Sequence, residues 1–248
     1  MKSKVNVCRV LIDNVTMQES LDAIENLIVI GKPSYVTTPN IDHIMLYNNN
    51  PEFAKCYDET SLCLADGMPI LWAAKFLGTP LKAKVSGSDL VPRICELANH
   101  KGYKLFFLGG RPGAADAAIK KLRTTLLNLK IVGSYAPPFG FEKDESELRK
   151  IVSMIKDAKP DILFVGLGAP KQEKWINKYY QELGVPVSLG VGVTFEFIAG
   201  IVKRAPLWMQ QAGLEWFWRL CMEPGRLWKR YLIDDMQFFG LVLKQKLR

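Results

Sequence analysis

The sequence predicts an α/β fold, a largely parallel sheet with helices on both faces, followed by a helical and basic C-terminal appendage. Three observations carry this. The apolar runs in "KLFFLGG" and "DILFVGLG" are continuous, as strands covered on both faces are, where a half-exposed strand would alternate. Each run passes through a glycine-containing turn into a helical stretch, "RPGAADAAIKKLRTTL" after the first and "APKQEKWINKYYQEL" after the second, the grammar of strand–helix–strand units. After Gly200 the character changes to helical and basic, with a Pro-Gly break at Pro224-Gly225. The expected domains are therefore an α/β core over residues 1–200 and an appendage over 201–248.

Taken in order, "SYVTTPN" (Ser34 to Asn40) is a β-rich run closed by Pro-Asn, and Asn40 is placed to cap a helix running through His43 and Tyr47. "SLCLADGMPI" (Ser61 to Ile70) reads as a short buried strand broken by Asp66-Gly67, with Met68-Pro69 opening the next element. "PVSLGVGVTFEFIAG" reads as a further strand and loop. In open parallel sheets the ligand crevice lies at the C-terminal ends of the strands. That singles out the residues after each apolar run: Thr37, Asn40, Asp66, Gly109, Gly110, Gly168, Gln172 and Gly192.

Composition narrows the function classes. The chain has 248 residues, 48% hydrophobic and 23% charged, enough for a full core and an appendage. Its five cysteines form no CxxC pair, which argues against a disulfide scaffold or a zinc ribbon and for a reducing cytosol. "MKSKVN" leads into a mixed segment, so no secretory leader is expected. No apolar run is long enough to span a bilayer. Between Lys203 and Arg248 stand nine basic and four acidic residues, so this stretch carries five of the eight net positive charges. It also holds Trp208, Trp216, Trp218 and Trp228, four of the six tryptophans. Basic residues interleaved with tryptophan suit an anionic surface: lipid headgroups, pyrophosphate or nucleic acid.

Each loop has a chemical and a structural reading. "FLGGRPGAADAA" resembles a phosphate-cradling turn, although its spacing matches neither a Walker loop nor a dinucleotide fingerprint, and a tight strand-to-helix turn needs the same glycines. Lys171, Gln172 and Glu173 open a helix, where they would meet a ligand or form a solvated first turn. His43 and His100 have no partners at metal-ligand spacing, and no GxSxG elbow is present. Asp66 is left as the best general-base candidate, with helix capping as its structural alternative. In the tail, Trp228, Leu232, Met236, Phe239 and Leu243 recur at helical spacing, suiting either an interfacial helix on anionic lipid or a helix packed on the core or a partner subunit.

Together, "TTPNIDH", "LADGMPI", "VSGSDL", "FLGGRPG", "VGLGAPKQEKW", "GVGVTFEFIAGIVKRAPLWMQQAGLEWFWRL" and "EPGRLWKRY" resemble the WecG/TagA/CpsF glycosyltransferases, glycosyltransferase family 26, over nearly the whole chain. One departure is Val193, where many members carry glycine. The resemblance implies a Rossmann-like core and an inverting transfer from a UDP-sugar to a polyprenyl-diphosphate-linked N-acetylglucosamine, at the inner face of the cell membrane. It implies neither a cofactor nor a metal. Within the family, the teichoic-acid N-acetylmannosaminyltransferases are the nearest in motif, so N-acetylmannosamine is the expected donor sugar. By the same resemblance Asp66 matches the catalytic aspartate, Thr37 and Asn40 the active-site Thr and Asn, and Gln172 the glutamine of the PKQE motif. Gly109, Gly110, Gly168, Lys171 and Gly192, with Arg219, Arg226 and Arg230 from the tail, are the candidate contacts to the nucleotide diphosphate. The expected partners are the UDP-sugar, the lipid-linked acceptor and an anionic membrane surface reached through the tail. A homo-oligomer is left open, and nucleic acid is not expected. A non-catalytic nucleotide-sugar sensor or scaffold at the membrane is the alternative function.

Overall fold

The computed structural model describes residues 3–229, 231, 233 and 235–247, with Arg226 described by its backbone alone. Its strands, in chain order, are β1 (Lys4–Val7), β2 (Val10–Asp13), β3 (Tyr35–Thr37), β4 (Leu62–Cys63), β5 (Lys104–Gly109), β6 (Lys130–Tyr135), β7 (Ile162–Gly166) and β8 (Val187–Gly190). The chain divides into two compact units. The first is Met1–Ser20, Thr38–Ser86 and Lys203–Arg248, and the second is Leu21–Thr37 and Gly87–Val202.

The second unit carries the predicted α/β fold. Its strands lie in the order β3-β8-β7-β5-β6, and every adjacent pair is parallel. Leu105–Leu108 and Ile162–Val165 are buried without interruption, because helices pack on both faces of the sheet. On one face, Phe106, Leu108, Leu163 and Val165 meet Ile155 of helix Glu145–Ala158 and Trp175 of helix Lys171–Leu183. On the other, the Phe107 ring lies 5.3 Å from Phe164 and 5.1 Å from Phe195 of helix Thr194–Ala199. That last helix corrects the sequence reading, which left the stretch after β8 as a loop.

The first unit begins with the antiparallel hairpin β1–β2, in which Val7 faces Val10 across a two-residue turn. Both turn residues, Cys8 (φ 49°) and Arg9 (φ 76°), are left-handed without being glycine, the backbone such a turn demands. Asn6 Oδ1 supports the turn by accepting the Arg9 N–H at 2.9 Å. The inward hairpin residues Val5, Val7, Val10 and Ile12 share a core with Ile44, Phe53, Cys63, Ile70, Phe238 and Val242. Buried Asp13 accepts the backbone N–H of Cys63 at 2.9 Å, tying β2 to β4.

Residues 203–248 are thus not an appendage to a 1–200 core but the third segment of this unit. Helix Gln237–Lys246 buries Phe238 and Val242, one turn apart, in the hairpin core. Gln245 fixes it there, its Oε1 accepting the Cys8 N–H at 2.7 Å and its Nε2 donating to the Asn6 carbonyl at 2.9 Å. The apolar stripe read from the sequence falls on two helices, Pro224–Lys229 and Gln237–Lys246. Pro224-Gly225 opens the first of these, since proline suits the first helical turn. Trp228, Met236, Phe239 and Leu243 of the stripe are exposed, while Leu227, Phe238 and Val242 face inward. Leu232 lies outside the described residues.

Candidate active-site loops

In the second unit the loop after β5 holds Gly109, Gly110 and Gly113 at φ 97°, 79° and 78°. A Cβ on Gly109 would sit 2.6 Å from the Gly166 carbonyl oxygen, so the close approach of β5 to β7 requires glycine there. Two of the loop's donors are engaged within the unit. Gly110 N–H donates to Gly166 O at 2.7 Å, and Arg111 N–H donates to Glu196 Oε1 at 2.9 Å. The Gly110 and Arg111 N–H groups are thus turned into the protein, where a phosphate cradle would use N–H groups turned outward. Asp116, in the first turn of helix Ala114–Leu122, accepts the Ser134 hydroxyl of β6 at 2.6 Å.

The loops after β7 and β8 meet at one side chain. Gln172 Oε1 accepts the N–H of Gly168 at 3.2 Å and of Gly192 at 3.0 Å, and its Nε2 donates to Glu173 Oε1 at 2.8 Å. Gly190 makes room for this arrangement, since a Cβ there would lie 2.9 Å from Gln172 Nε2. Three expected site residues, Gly168, Gln172 and Gly192, are therefore brought together, in a buried clamp and not in a solvated first turn. Gln172 and Glu173 are both buried. Lys171 is partly exposed and pairs with Glu142 at 2.8 Å, a hydrogen bond that holds the Glu142 carboxyl below its usual range. Thr37 is buried at the end of β3.

In the first unit Asn40 caps helix Ile41–Asn49, its Oδ1 accepting the His43 N–H at 3.1 Å. With its oxygen so used, the side chain presents its amide nitrogen as a donor. His43 is buried, with Nδ1 3.1 Å from the Tyr57 hydroxyl, as suits an interior helix residue. Asp66 lies beside this cap, its backbone N–H donating to the Pro39 carbonyl at 2.9 Å. The preceding residue is held in turn, since Ala65 O accepts the Val85 N–H at 2.8 Å. The helix after Asp66, Met68–Phe76, takes Gly67 as its N-cap, with no side-chain capping bond.

Arg219 lies on helix Glu215–Met222 of the same unit and is partly exposed. At the start of that helix Glu215 pairs with Arg204 at 2.9 Å and Lys84 at 3.8 Å. The side chain of Arg226 and the whole of Arg230 lie outside the described residues. Burial raises the Cys8 thiol to about 11 and the Cys95 thiol to about 12, which keeps both protonated at neutral pH and removes them as nucleophiles. Among the described residues no three His, Cys, Asp or Glu side chains gather at a metal-binding distance, and no helix is long and apolar enough to cross a membrane.

Sequence reasoning missed Glu196. It is buried, one oxygen holds the Arg111 N–H, and the other meets no hydrogen-bond partner among the described residues. The signal was an acid set between two phenylalanines in "TFEF", in a segment otherwise apolar enough to be interior.

A parallel α/β unit with glycine-rich strand-end loops, joined in sequence to an aspartate at a strand-end turn, is a Rossmann-like architecture with its candidate residues on the loops. The sequence model of the Glycosyl transferase WecG/TagA/CpsF family matches residues 5–248, and the chain belongs to this family of glycosyltransferases. Among curated proteins it is similar to the N-acetylglucosaminyldiphosphoundecaprenol N-acetyl-beta-D-mannosaminyltransferase of Bacillus subtilis, 31% identical over 197 residues, 79% of this chain and 74% of the relative. Relatives of the same name from Bacillus spizizenii and Staphylococcus aureus are each 30% identical. The first covers 87% of this chain and 81% of the relative, the second 92% and 87%.

Proposed function

We propose that this glycosyltransferase moves an N-acetylmannosaminyl group from a UDP-sugar to the C4 hydroxyl of a polyprenyl-diphosphate-linked N-acetylglucosamine, with inversion, in cell-surface polymer synthesis. The names of the relatives support the acceptor and the sugar. The observation that carries the mechanism is the backbone bond from the Asp66 N–H to the Pro39 carbonyl, which sets the Asp66 turn against the residue preceding the Asn40 cap.

In a single displacement the acceptor O4 attacks the anomeric carbon, the bond from that carbon to the UDP oxygen breaks, and the O4 proton passes to Asp66. General-base help of this kind contributes about 10²–10⁴-fold. Asn40 donates to the acceptor, with Thr37 a further contact. UDP departs with its negative charge. The backbone N–H groups of Gly110, Arg111, Gly168 and Gly192 are engaged within the protein. Stabilisation of the leaving group therefore rests on cationic side chains, Arg219, Arg226 and Arg230, with Lys171 a further candidate. Gln172 serves by holding the Gly168 and Gly192 loops, not by touching the reacting atoms. The transfer proceeds without a metal, and the protein works peripherally at an anionic membrane surface on the cytoplasmic side.

The test is direct. The enzyme is incubated with a short-chain lipid-diphosphate N-acetylglucosamine and a panel of UDP-sugars, and UDP release and disaccharide formation are followed. UDP-N-acetylmannosamine should give both, and the product should have β configuration. Disaccharide from a different UDP-sugar alone would replace the donor, and no transfer from any would remove the reading.

A further inference from the structure

The apolar surface of the tail continues on helix Met68–Phe76 of the same unit. Trp72 and Phe76, one turn apart, are 49% and 53% exposed. On helix Gln237–Lys246, Phe238 and Val242 point into the core while their neighbours Phe239 and Leu243 are 50% and 52% exposed. Lys246 joins the two helices, its Nζ lying 5.7 Å from the centre of the Phe76 ring. Lys75 and Lys244 are exposed beside these side chains, and neither helix carries an acidic residue. Large apolar side chains left in water on neighbouring helices mark an interaction surface, and a rim of lysines with no acids selects an anionic partner.

We propose that helices Met68–Phe76 and Gln237–Lys246 together form one docking face for an anionic lipid surface. Trp72, Phe76, Phe239 and Leu243 enter the boundary between headgroups and acyl chains, and the lysines meet the lipid phosphates. This rests on the membrane reading above and adds to it a helix outside the tail. A second copy of the chain is a poorer occupant. A twofold contact sets the same patch against itself, which would bring lysines against lysines with no acid between them. The face also has a place in the reaction. Helix Met68–Phe76 starts two residues after Asp66 and is about 13 Å long, so docking its far end holds the proposed base within reach of a lipid-linked diphosphate at the headgroup layer.

The test is co-sedimentation of the full chain with vesicles of phosphatidylglycerol and phosphatidylcholine, against phosphatidylcholine alone. Wild type should partition onto the anionic vesicles. Phe76→Asp, the double change Trp72→Ser/Phe76→Ser, and Phe239→Asp should each lower partition at least tenfold, and Lys75→Gln about fivefold. Phe76→Asp carries the most weight because Trp72 also packs near Gly213, and its thermal melt should match wild type. Wild-type partition in Phe76→Asp and the double variant, with loss in Phe239→Asp, would confine the contact to the tail and overturn the proposal. Absence of wild-type binding to anionic vesicles would remove the membrane reading itself. A wild-type dimer in sedimentation velocity that Phe76→Asp dissociates, with vesicle partition unchanged, would give the face to self-association and equally overturn it.

Discussion

Asp66 and Gln172 are both polar residues at strand-end loops, yet their surroundings give them different work. The Asp66 turn is held by its own backbone, through Pro39 and through Val85 on Ala65, so removing its charge should leave the turn standing. Asp66→Asn is expected to lower kcat by about two orders of magnitude or more with little change in the donor KM or the melting temperature. Wild-type kcat in steady-state assays would remove Asp66 from the mechanism. Gln172 is the reverse case, because its amide oxygen is the partner of two backbone N–H groups. Gln172→Met removes the partner of both part-buried donors, at up to about 1–3 kcal/mol each. It is expected to lower the melting temperature, raise the donor KM as well as reduce kcat, and speed amide exchange at Gly168 and Gly192. Gly190→Ala should show the same pattern by pushing the Gln172 amide aside. If Gln172→Met reduced kcat with stability, KM and both amides unchanged, Gln172 would belong with the reacting atoms after all. The polar character of Lys171–Glu173 was legible in the sequence, but its direction was not. A glutamine at a helix start looks the same whether it faces water or two glycine N–H groups, since those arrive from loops 4 and 20 residues away.

At the scale of elements, helix Gln237–Lys246 is apolar on two sides. Periodicity therefore finds the helix but cannot choose its inner face, and the stripe through Phe239 and Leu243 was the one the spacing favoured. The structure turns Phe238 and Val242 inward instead, because Gln245 pins the helix to the hairpin turn through Cys8 and Asn6. Phe238→Ala is expected to cost about 3–5 kcal/mol by cavity formation, and Phe239→Ala within about 0.5 kcal/mol, read from denaturant midpoints. Equal costs would mean that the helix is rotated from this placement. The Asn40 cap was legible because it is local, a side chain bonding three residues ahead. The engagement of Gly110 and Arg111 after β5 was not, because Gly110 bonds to Gly166 and Arg111 to Glu196, partners that only the sheet order and helix Thr194–Ala199 bring near. Of the three candidate arginines only Arg219, on helix Glu215–Met222, has a described side chain, and Arg219→Ala is expected to lower kcat by about 10²-fold while vesicle partition changes severalfold at most. Parallel losses in the two assays would make Arg219 an anchor.

For the whole molecule, the parallel fold of the second unit was predictable from its uninterrupted apolar strands. The division of the chain was not, because the first unit is assembled from three separated segments and no local signal marks such a partnership. Removal of residues 203–248 should therefore do more than detach a membrane anchor. It strips Phe238 and Val242 from the hairpin core, and the truncated chain is expected to lose the cooperative melt of the first unit while the second still unfolds as a sheet domain. A truncated protein with both transitions intact would restore the appendage reading. Activity is expected to persist in excess EDTA, since the charge on departing UDP is assigned to arginines. Loss with rescue by Mg²⁺ would return it to a cation.

The same three-segment construction sets an order of events during synthesis. The ribosome releases residues 21–37 and 87–202 before any of residues 203–248, so the parallel sheet can close on a growing chain while the hairpin and the Asp66 turn still wait for Phe238, Val242 and Gln245. Domains generally fold as units as they emerge. Vectorial translation thus makes the unit that holds the proposed base the last to mature, and a polypeptide interrupted late in translation would carry a finished sheet beside an unassembled base loop.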